Sequence, residues 1–320
     1  MFSIVIPLYN KAHTIVNTLQ TVLNQTYTEF EVVIVNDGST DNGVEVIEKN
    51  FTDSRIRIVN QINQGVSIAR NRGVEESKNE YIAFLDGDDE LLPEFLTKMK
   101  ESIAMFPHAG MYCCAGILRY SNGKEYLRIA EKFKDKIQEI NYFENPYFFT
   151  NSSSTVITKS GFNKTTGFPA GMRINEDLVF FCSLSLVVPV VYCPIPLSVY
   201  LKEVEGQASA NNAKLHEYVI SRTNLVFENW LNTNRSNNLF LVFTKYEIRN
   251  EFMIFLRSKD YAKMNYLFAN LDGRLLKFFP SIELKLFKIK STRPLAIIYL
   301  YFTKFLWKLK GYPVIRYKIK

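Results

Sequence analysis

Three carboxylates fall within four residues in Asp86-Gly87-Asp88-Asp89, directly after the apolar run Tyr81–Leu85. Two unit charges about 4 Å apart repel by roughly 4 kcal/mol at an effective dielectric of about 20, so such crowding is costly unless something offsets it. A divalent cation would do so. Oxygen-only ligands favour Mg²⁺ or Mn²⁺, ions that also carry diphosphates. The plain alternative is a solvated turn leading into a helix near Pro93.

Three further clusters have residue types suited to chemistry. Asn36-Asp37-Gly38-Ser39-Thr40-Asp41 reads as a polar turn after a strand, with Asp41 placed to cap a following helix. A calcium loop at Asp37, Ser39, Asp41 and Glu48 is excluded, because Gly43 comes one place late and a strand stands where a helix is required. Asn63-Gln64-Gly65 opens a helix through Arg70 and Gly73, whose first amides and Arg70 could meet a phosphate or a base edge; an ordinary amphipathic helix is the alternative. Glu176 and Asp177 open an apolar helix, where acids suit the macrodipole, yet one of them could also serve as a general base.

The elements that must position these groups follow from periodicity. Phe2–Pro7, Phe30–Val35, Arg55–Val59 and Tyr81–Leu85 read as strands; Thr14–Gln25, Gly65–Ser77 and Pro93–Phe106 read as helices. The repeated βαβ pattern predicts an α/β fold with a mostly parallel twisted sheet flanked by helices. Ligands of such sheets bind beyond the carboxyl ends of the strands, where Pro7-Leu8-Tyr9-Asn10, the Asp37 turn and the Asp86 cluster all fall. Gly110–Tyr120 and Ser154–Thr158 read as further strands, and the charged segment around Ala130–Glu139 as a mobile surface insertion. The pattern turns helical and aromatic near residue 212, which predicts a catalytic domain over 1–212 and a helical region over 213–320.

Composition narrows the class. At 47% hydrophobic and 22% charged residues, the 320-residue chain is globular. Four cysteines, Cys113, Cys114, Cys182 and Cys193, form no C-x-x-C pair and read as reduced core thiols of a cytosolic protein. The first residues lack the charged start of a signal peptide. The uncharged stretch Leu178–Leu201 is broken by Pro189, Pro194 and Pro196, so it reads as a helix followed by a strand. The net charge of +7 is concentrated at one end, since residues 274–320 hold twelve Lys/Arg against Glu283 alone. Cations interleaved with aromatics there suit a helix lying in an anionic membrane surface, with packing on the rest of the chain as the alternative. No nucleic-acid motif accompanies them, so nucleic acid is not expected as a partner.

Taken in order, Ile4–Asn10, Val35–Asp41, Asn63-Gln64-Gly65 with Ala69–Gly73, Phe84–Asp89 and Asn175-Glu176-Asp177 resemble family 2 glycosyltransferases, inverting enzymes with the GT-A fold, over residues 1–210. The resemblance implies a nucleotide-diphosphate sugar donor, UDP-sugar first, and a hydroxyl of a glycan or lipid-linked acceptor. It implies Asp37 on the nucleotide base, with Pro7, Tyr9 and Arg70 lining the same pocket. Asp86 and Asp88 would be the D-x-D acids on nucleotide and metal, with Asp88 as ligand of Mn²⁺ or Mg²⁺. Glu176 would contact substrate and Asp177 would be the catalytic base, while Gln207 and Ser209 would belong to a loop closing over the diphosphate. Two positions depart from the family pattern: Asn36 replaces a usual acid, and the closing loop lacks the usual His or Arg. By analogy the setting is bacterial surface-polysaccharide synthesis at the cytoplasmic face of the membrane. Among the alternatives, a hydrolase using paired aspartates would carry Thr or Val where Glu90 stands, and a nucleotidyltransferase a Gly-rich basic loop where Pro7–Lys11 stands. A degenerate nucleotide-binding scaffold would have no need of the intact Asp37, Asp88 and Asp177.

Overall fold

Along β1 (Phe2–Leu8), Ile4, Ile6 and Leu8 alternate with Val5, and the pleat sorts them to opposite faces of a sheet. The computed structural model describes residues 1–145, 148–204, 215–233, 237–309 and 318–319. Chain order continues with α1 (Ile15–Leu23), β2 (Phe30–Asp37), α2 (Gly43–Asn50), β3 (Ile56–Gln61), α3 (Val66–Glu76), β4 (Tyr81–Phe84), β5 (Glu90–Leu91) and α4 (Phe95–Met105). Then come β6 (Met111–Arg119), β7 (Glu125–Arg128), β8 (Gln138–Ile140), β9 (Thr155–Thr158), α5 (Lys159–Phe162), α6 (Glu176–Ser185) and β10 (Val190–Leu201).

The expected parallel sheet is present as the run β3-β2-β1-β4, parallel throughout; antiparallel pairs enter beyond β4, where β9 reverses direction. Ile4, Ile6 and Leu8 pack with Ile15, Leu19 and Val22 of α1 and Phe95, Leu96 and Met99 of α4 in one core. Val5 faces α3 on the other side, where a Cβ on Gly73 would lie 2.2 Å from Val5 Cγ1, so only glycine lets the helix lie this close. Phe84, Phe168, Phe180 and Phe181 form an aromatic cluster that seats α6.

The stretch Leu178–Leu201 resolves into the expected helix and strand, and no described helix is long and apolar enough to cross a membrane. Pro194 and Pro196 cannot donate to a ladder, and the β10–β6 register shifts where they occur. The four cysteines are free and buried. The segment around Ala130–Glu139 is not the surface insertion expected. Ala130 and Phe133 are buried, the Ala130 amide donates to Tyr192 Oη at 2.9 Å, and β8 pairs with β10. Its aromatic and aliphatic residues outweigh the lysines that made it look solvated.

The chain divides into two compact units, one of residues 1–140, 148–211 and 317–320, the other of residues 141–147 and 212–316. The second holds α7 (Leu215–Asn232), α8 (Asn238–Ser258), α9 (Tyr261–Asn270), α10 (Gly273–Leu276), α11 (Ser281–Lys288) and α12 (Arg293–Leu309). It is built on aromatic stacks such as Trp230 on Phe240 and Phe252 on Phe268. A last strand, β11 (Lys318–Ile319), pairs with β7 in the first unit.

Candidate active site

The carboxyl ends of β1, β2 and β4 lie side by side, since Val5 pairs with Phe84 and Leu8 with Asn36. The loops leaving these ends are tied by their own polar side chains. Asn10 takes a left-handed φ of 52°, which asparagine tolerates, and its Oδ1 accepts from the amides of Thr40 at 2.8 Å and Asp41 at 3.3 Å. Asp41 in turn accepts from Ala12 N at 2.8 Å and Gly43 N at 3.1 Å; the N-cap of α2 is Asn42, so Asp41 braces the turn before the helix and does not cap it. Gly38 has φ 68°, and a Cβ there would lie 2.8 Å from Asn63 N, so the second loop and the entry to α3 close on each other only through glycine.

Asp37 ends β2 and is 3% exposed. Its Oδ1 accepts from Gln61 Nε2 at 2.7 Å and Gln64 N at 2.8 Å, and its Oδ2 from Gly65 N at 2.8 Å. An ionised carboxylate offers about four acceptor positions. Three are used, which leaves one on Oδ2 for a further donor. Half-buried Pro7, near the end of the adjoining β1, and Tyr9, just beyond it at 46% exposure, lie next to this site.

Arg70, one turn into α3, joins two distant stretches. Its Nη2 donates to Asp86 Oδ1 at 2.6 Å and its Nη1 to Glu176 Oε1 at 2.8 Å, while Phe168 lies under the guanidinium at 5.3 Å. Burial works against its charge, yet the carboxylates of Asp86, Glu176 and Asp177 outweigh that and hold Arg70 above its usual value. Asp177 sits beside this pair at the start of α6, its Oδ1 accepting from Leu178 N at 2.7 Å. Burial first, then the Glu176 charge, push its carboxyl up to about 6; Arg70 pulls the other way and Asp86 adds to the rise. Asn175, left-handed at φ 68°, turns the chain so that both acids open the helix.

Across the same strand end, Asp88 Oδ2 accepts from Lys11 Nζ at 2.6 Å, with side-chain exposures of 9% and 14%. Gly87 lies against Pro7 O and the Lys11 stem. Asp89 turns inward, fully buried, accepting from Ser153 Oγ at 2.5 Å and Leu201 N at 3.2 Å. Burial, then the charges of Asp86 and Asp88, push its carboxyl well above the usual range. Ser153 Oγ also accepts from the Asp86 amide at 3.2 Å, so one hydroxyl braces both ends of the acidic turn.

The structure thus joins Asp86, Arg70 and Glu176 directly, sets Asp177 within their field, and holds Asp37 and Asp88 on neighbouring loops. Arg70, expected to line the nucleotide pocket, has both terminal nitrogens committed to carboxylates. Gln207 and Ser209 lie outside the described residues. Lys11 and Ser153 were not among the expected site residues. Lys11 follows the Pro7–Asn10 motif directly, whereas nothing in Ser152-Ser153-Ser154 marks its middle serine.

Among the described residues no group of three or more His, Cys, Asp or Glu is arranged to hold a metal by itself. The acids nevertheless suit a hard cation. Asp88 already engages one, the Lys11 ammonium, and Arg70 holds Asp86 and Glu176, while Asp89 and Asp177 lie in the same field of negative charge. Asp86 and Asp88 could hold a divalent ion whose remaining positions are filled by ligand oxygens or water.

Comparison with known proteins agrees with this geometry. The family model described as glycosyl transferase family 2 matches residues 3–165. The uncharacterized glycosyltransferase YibD of Escherichia coli (strain K12) is 44% identical over 93 residues, a span covering 28% of this chain and 27% of YibD. The chain thus matches only about a quarter of that relative's length. Residues 1–349 of TarS from S. aureus, solved in complex with UDP-GlcNAc, superpose with a TM-score of 0.71 at 18% identity, covering 98% of this chain and 93% of that one. The mannosyltransferase PcManGT from Pyrobaculum calidifontis, in complex with GDP-Man and Mn²⁺, gives 0.54 at 16% identity, covering 96% and 87%. These likenesses show a shared fold, the GT-A fold.

Proposed function

This chain belongs to glycosyl transferase family 2, and from that premise we propose that it transfers a sugar, with inversion, from a nucleotide-diphosphate donor to a hydroxyl of a glycan or lipid-linked acceptor in bacterial surface-polysaccharide synthesis. The observation that carries the reading is the Arg70 bridge, which gathers Asp86 and Glu176 from separate stretches and leaves Asp177 beside them with a carboxyl near 6.

The donor base sits against Asp37, whose one remaining acceptor position suits an imide N–H such as that of uracil, with Pro7 and Tyr9 lining its face. Arg70 acts by fixing Asp86 and Glu176. Asp86 and Asp88 would hold Mn²⁺ or Mg²⁺, and such an ion, when bound, would offset charge on the departing diphosphate. Asp177 takes the proton from the acceptor hydroxyl as that oxygen attacks the anomeric carbon, and a carboxyl near 6 is ionised at neutral pH yet more basic than an ordinary aspartate. A single displacement by the acceptor oxygen inverts the carbon. The named ligands of TarS and PcManGT, UDP-GlcNAc and GDP-Man, support a nucleotide-sugar donor. The free, buried cysteines support a reducing, cytoplasmic setting.

Calorimetry with UDP, UDP-GlcNAc and GDP-Man, each with and without Mn²⁺, tests the reading. Binding of one donor that strengthens with Mn²⁺ and is lost in Asp37→Ala is expected. No binding of any nucleotide diphosphate would overturn it, and binding without sugar transfer to any acceptor would favour the scaffold alternative.

A further inference from the structure

Helix α12 is apolar on two opposite sides, and among the described residues only one of them is buried. Ala296, Leu300 and Trp307 are buried, and Trp307 stacks on Tyr246 of α8 with ring centroids 4.7 Å apart. Tyr299 Oη donates to Glu283 Oε2 at 3.0 Å. The same carboxylate, fully buried on α11, accepts from Arg249 Nε and Nη2 of α8 at 2.7 Å each. These contacts fix the rotation of α12 about its own axis.

That rotation leaves Leu295, Ile298, Tyr301, Phe302, Phe305, Leu306 and Leu309 exposed, between 40% and 66%. Their spacings of three, one and four put them on one stripe, roughly 140° wide at about 100° per residue. A lone exposed leucine needs no explanation, but seven large apolar side chains in one stripe do. Lys304 and Lys308 lie along one border of it by the same helical geometry. On the neighbouring α11 and its exit, Lys285, Lys288 and Lys290 are exposed.

We propose that this outer face of α12 is a docking surface for an anionic lipid bilayer, with the helix lying in the plane of the interface and its apolar stripe inserted among the acyl chains. Charge decides the occupant. Residues 274–309 carry eight Lys/Arg, and their single acid, Glu283, is buried under Arg249. A second copy of this face would set Lys304 and Lys308, with Lys285, Lys288 and Lys290 on the neighbouring helix, against the same lysines, whereas phosphate headgroups neutralise them while the acyl region takes the stripe. The inference goes beyond sugar transfer and does not depend on the acids of the first unit.

The test uses the full chain in sedimentation with vesicles of phosphatidylcholine alone or with about one-third phosphatidylglycerol, whose negative surface potential attracts basic segments. Wild type is expected to bind the anionic vesicles, at least tenfold less tightly in high salt and at least tenfold less in Phe302→Glu/Phe305→Glu. Both phenylalanines are exposed, so the variant should fold, which circular dichroism and unchanged UDP binding would check. Failure of wild type to bind anionic vesicles, or equal binding by the double variant, overturns the proposal. So does a concentration-dependent dimer that the same variant dissolves in the absence of vesicle binding. Loss of UDP binding in wild type would instead count against the transfer reading.

Discussion

Replacing Asp177 by Asn should make this protein more stable and nearly inactive, and the two effects have one cause. The carboxyl is pushed up to about 6 by burial and by Glu176, against about 3.9 for an ordinary aspartate, a rise of roughly 2 units and therefore about 3 kcal/mol. The sign follows from proton binding. A folded-state value above the unfolded one means the native protein holds this proton more tightly, so the contribution is full below about 4 and is lost as pH rises through about 6. At pH 7.5 wild type therefore carries an ionised carboxylate that opposes folding. Asparagine removes the charge and keeps the Oδ1 acceptor for Leu178 N.

The expected gain at pH 7.5 is about 1–3 kcal/mol, allowing for the new amide's need of partners, or a few degrees in melting temperature. At pH 4.5 the gain should fall to about a third, because the folded wild type is then largely protonated while the unfolded chain is not yet. Transfer should fall by about 10²–10⁴. For wild type, log kcat/KM should climb with unit slope below about pH 6 and level off above it, since that profile reports the free enzyme. Thermal melts of both proteins at the two pH values, with a radiolabelled-sugar assay, measure all three quantities. A variant less stable than wild type at pH 7.5, or one retaining transfer within a few-fold, refutes the reasoning, and a wild-type profile flat through pH 6 would do so as well.

Lys11→Met should raise Mn²⁺ affinity about tenfold without nucleotide, by removing the ammonium that occupies Asp88, while Asp88→Asn should lower it; electron paramagnetic resonance of free Mn²⁺ reads both, and unchanged affinity in Lys11→Met refutes the competition. Arg70→Met should cost about 3–5 kcal/mol in urea denaturation by stranding two carboxylates. Arg70→Lys should recover part of that but little transfer, because one ammonium cannot reproduce the two-way fork. Gly73→Ala should destabilise by about 1–3 kcal/mol despite a helix-propensity gain of about 1, because its Cβ would meet the β-branched Val5 rather than a flexible chain end; an unchanged urea midpoint would mean that α3 can shift away from β1.

What could be read from the residues alone depended on how far apart the interacting groups lie. The continuous apolar run Ile4-Val5-Ile6 declares a strand buried on both faces by itself, and the polar breaks after Leu8, Asp37 and Phe84 declare loops at the ends of parallel neighbours. Those are local signals, and they located the sheet edge. The pairings that set the chemistry are not local. Arg70 meets Glu176 across 106 positions, Lys11 meets Asp88 across 77 and Ser153 meets Asp89 across 64. Which of three neighbouring acids stays at the site and which is spent inside is decided by Ser153 and the Leu201 amide, two partners with no motif of their own.

The same distinction explains the second unit. The apolar residues of α12 recur at helical spacing on both sides, so the pattern establishes a helix and leaves open which side meets the protein. The choice is made by Arg249 and Tyr299, which converge on Glu283, the one acid in a basic tail. Arg249 holds Glu283 in place, and turning α12 away would take the Tyr299 phenol off that carboxylate and the Trp307 ring off Tyr246, so these contacts select one rotation of the helix. The lysines that make this region look like a solvated tail are therefore consistent with a packed helix, since their stems can lie along its border while the charged ends reach outward. The aromatic residues that make it look like core are divided between an inner set held by α8 and α11 and an outer set that is exposed.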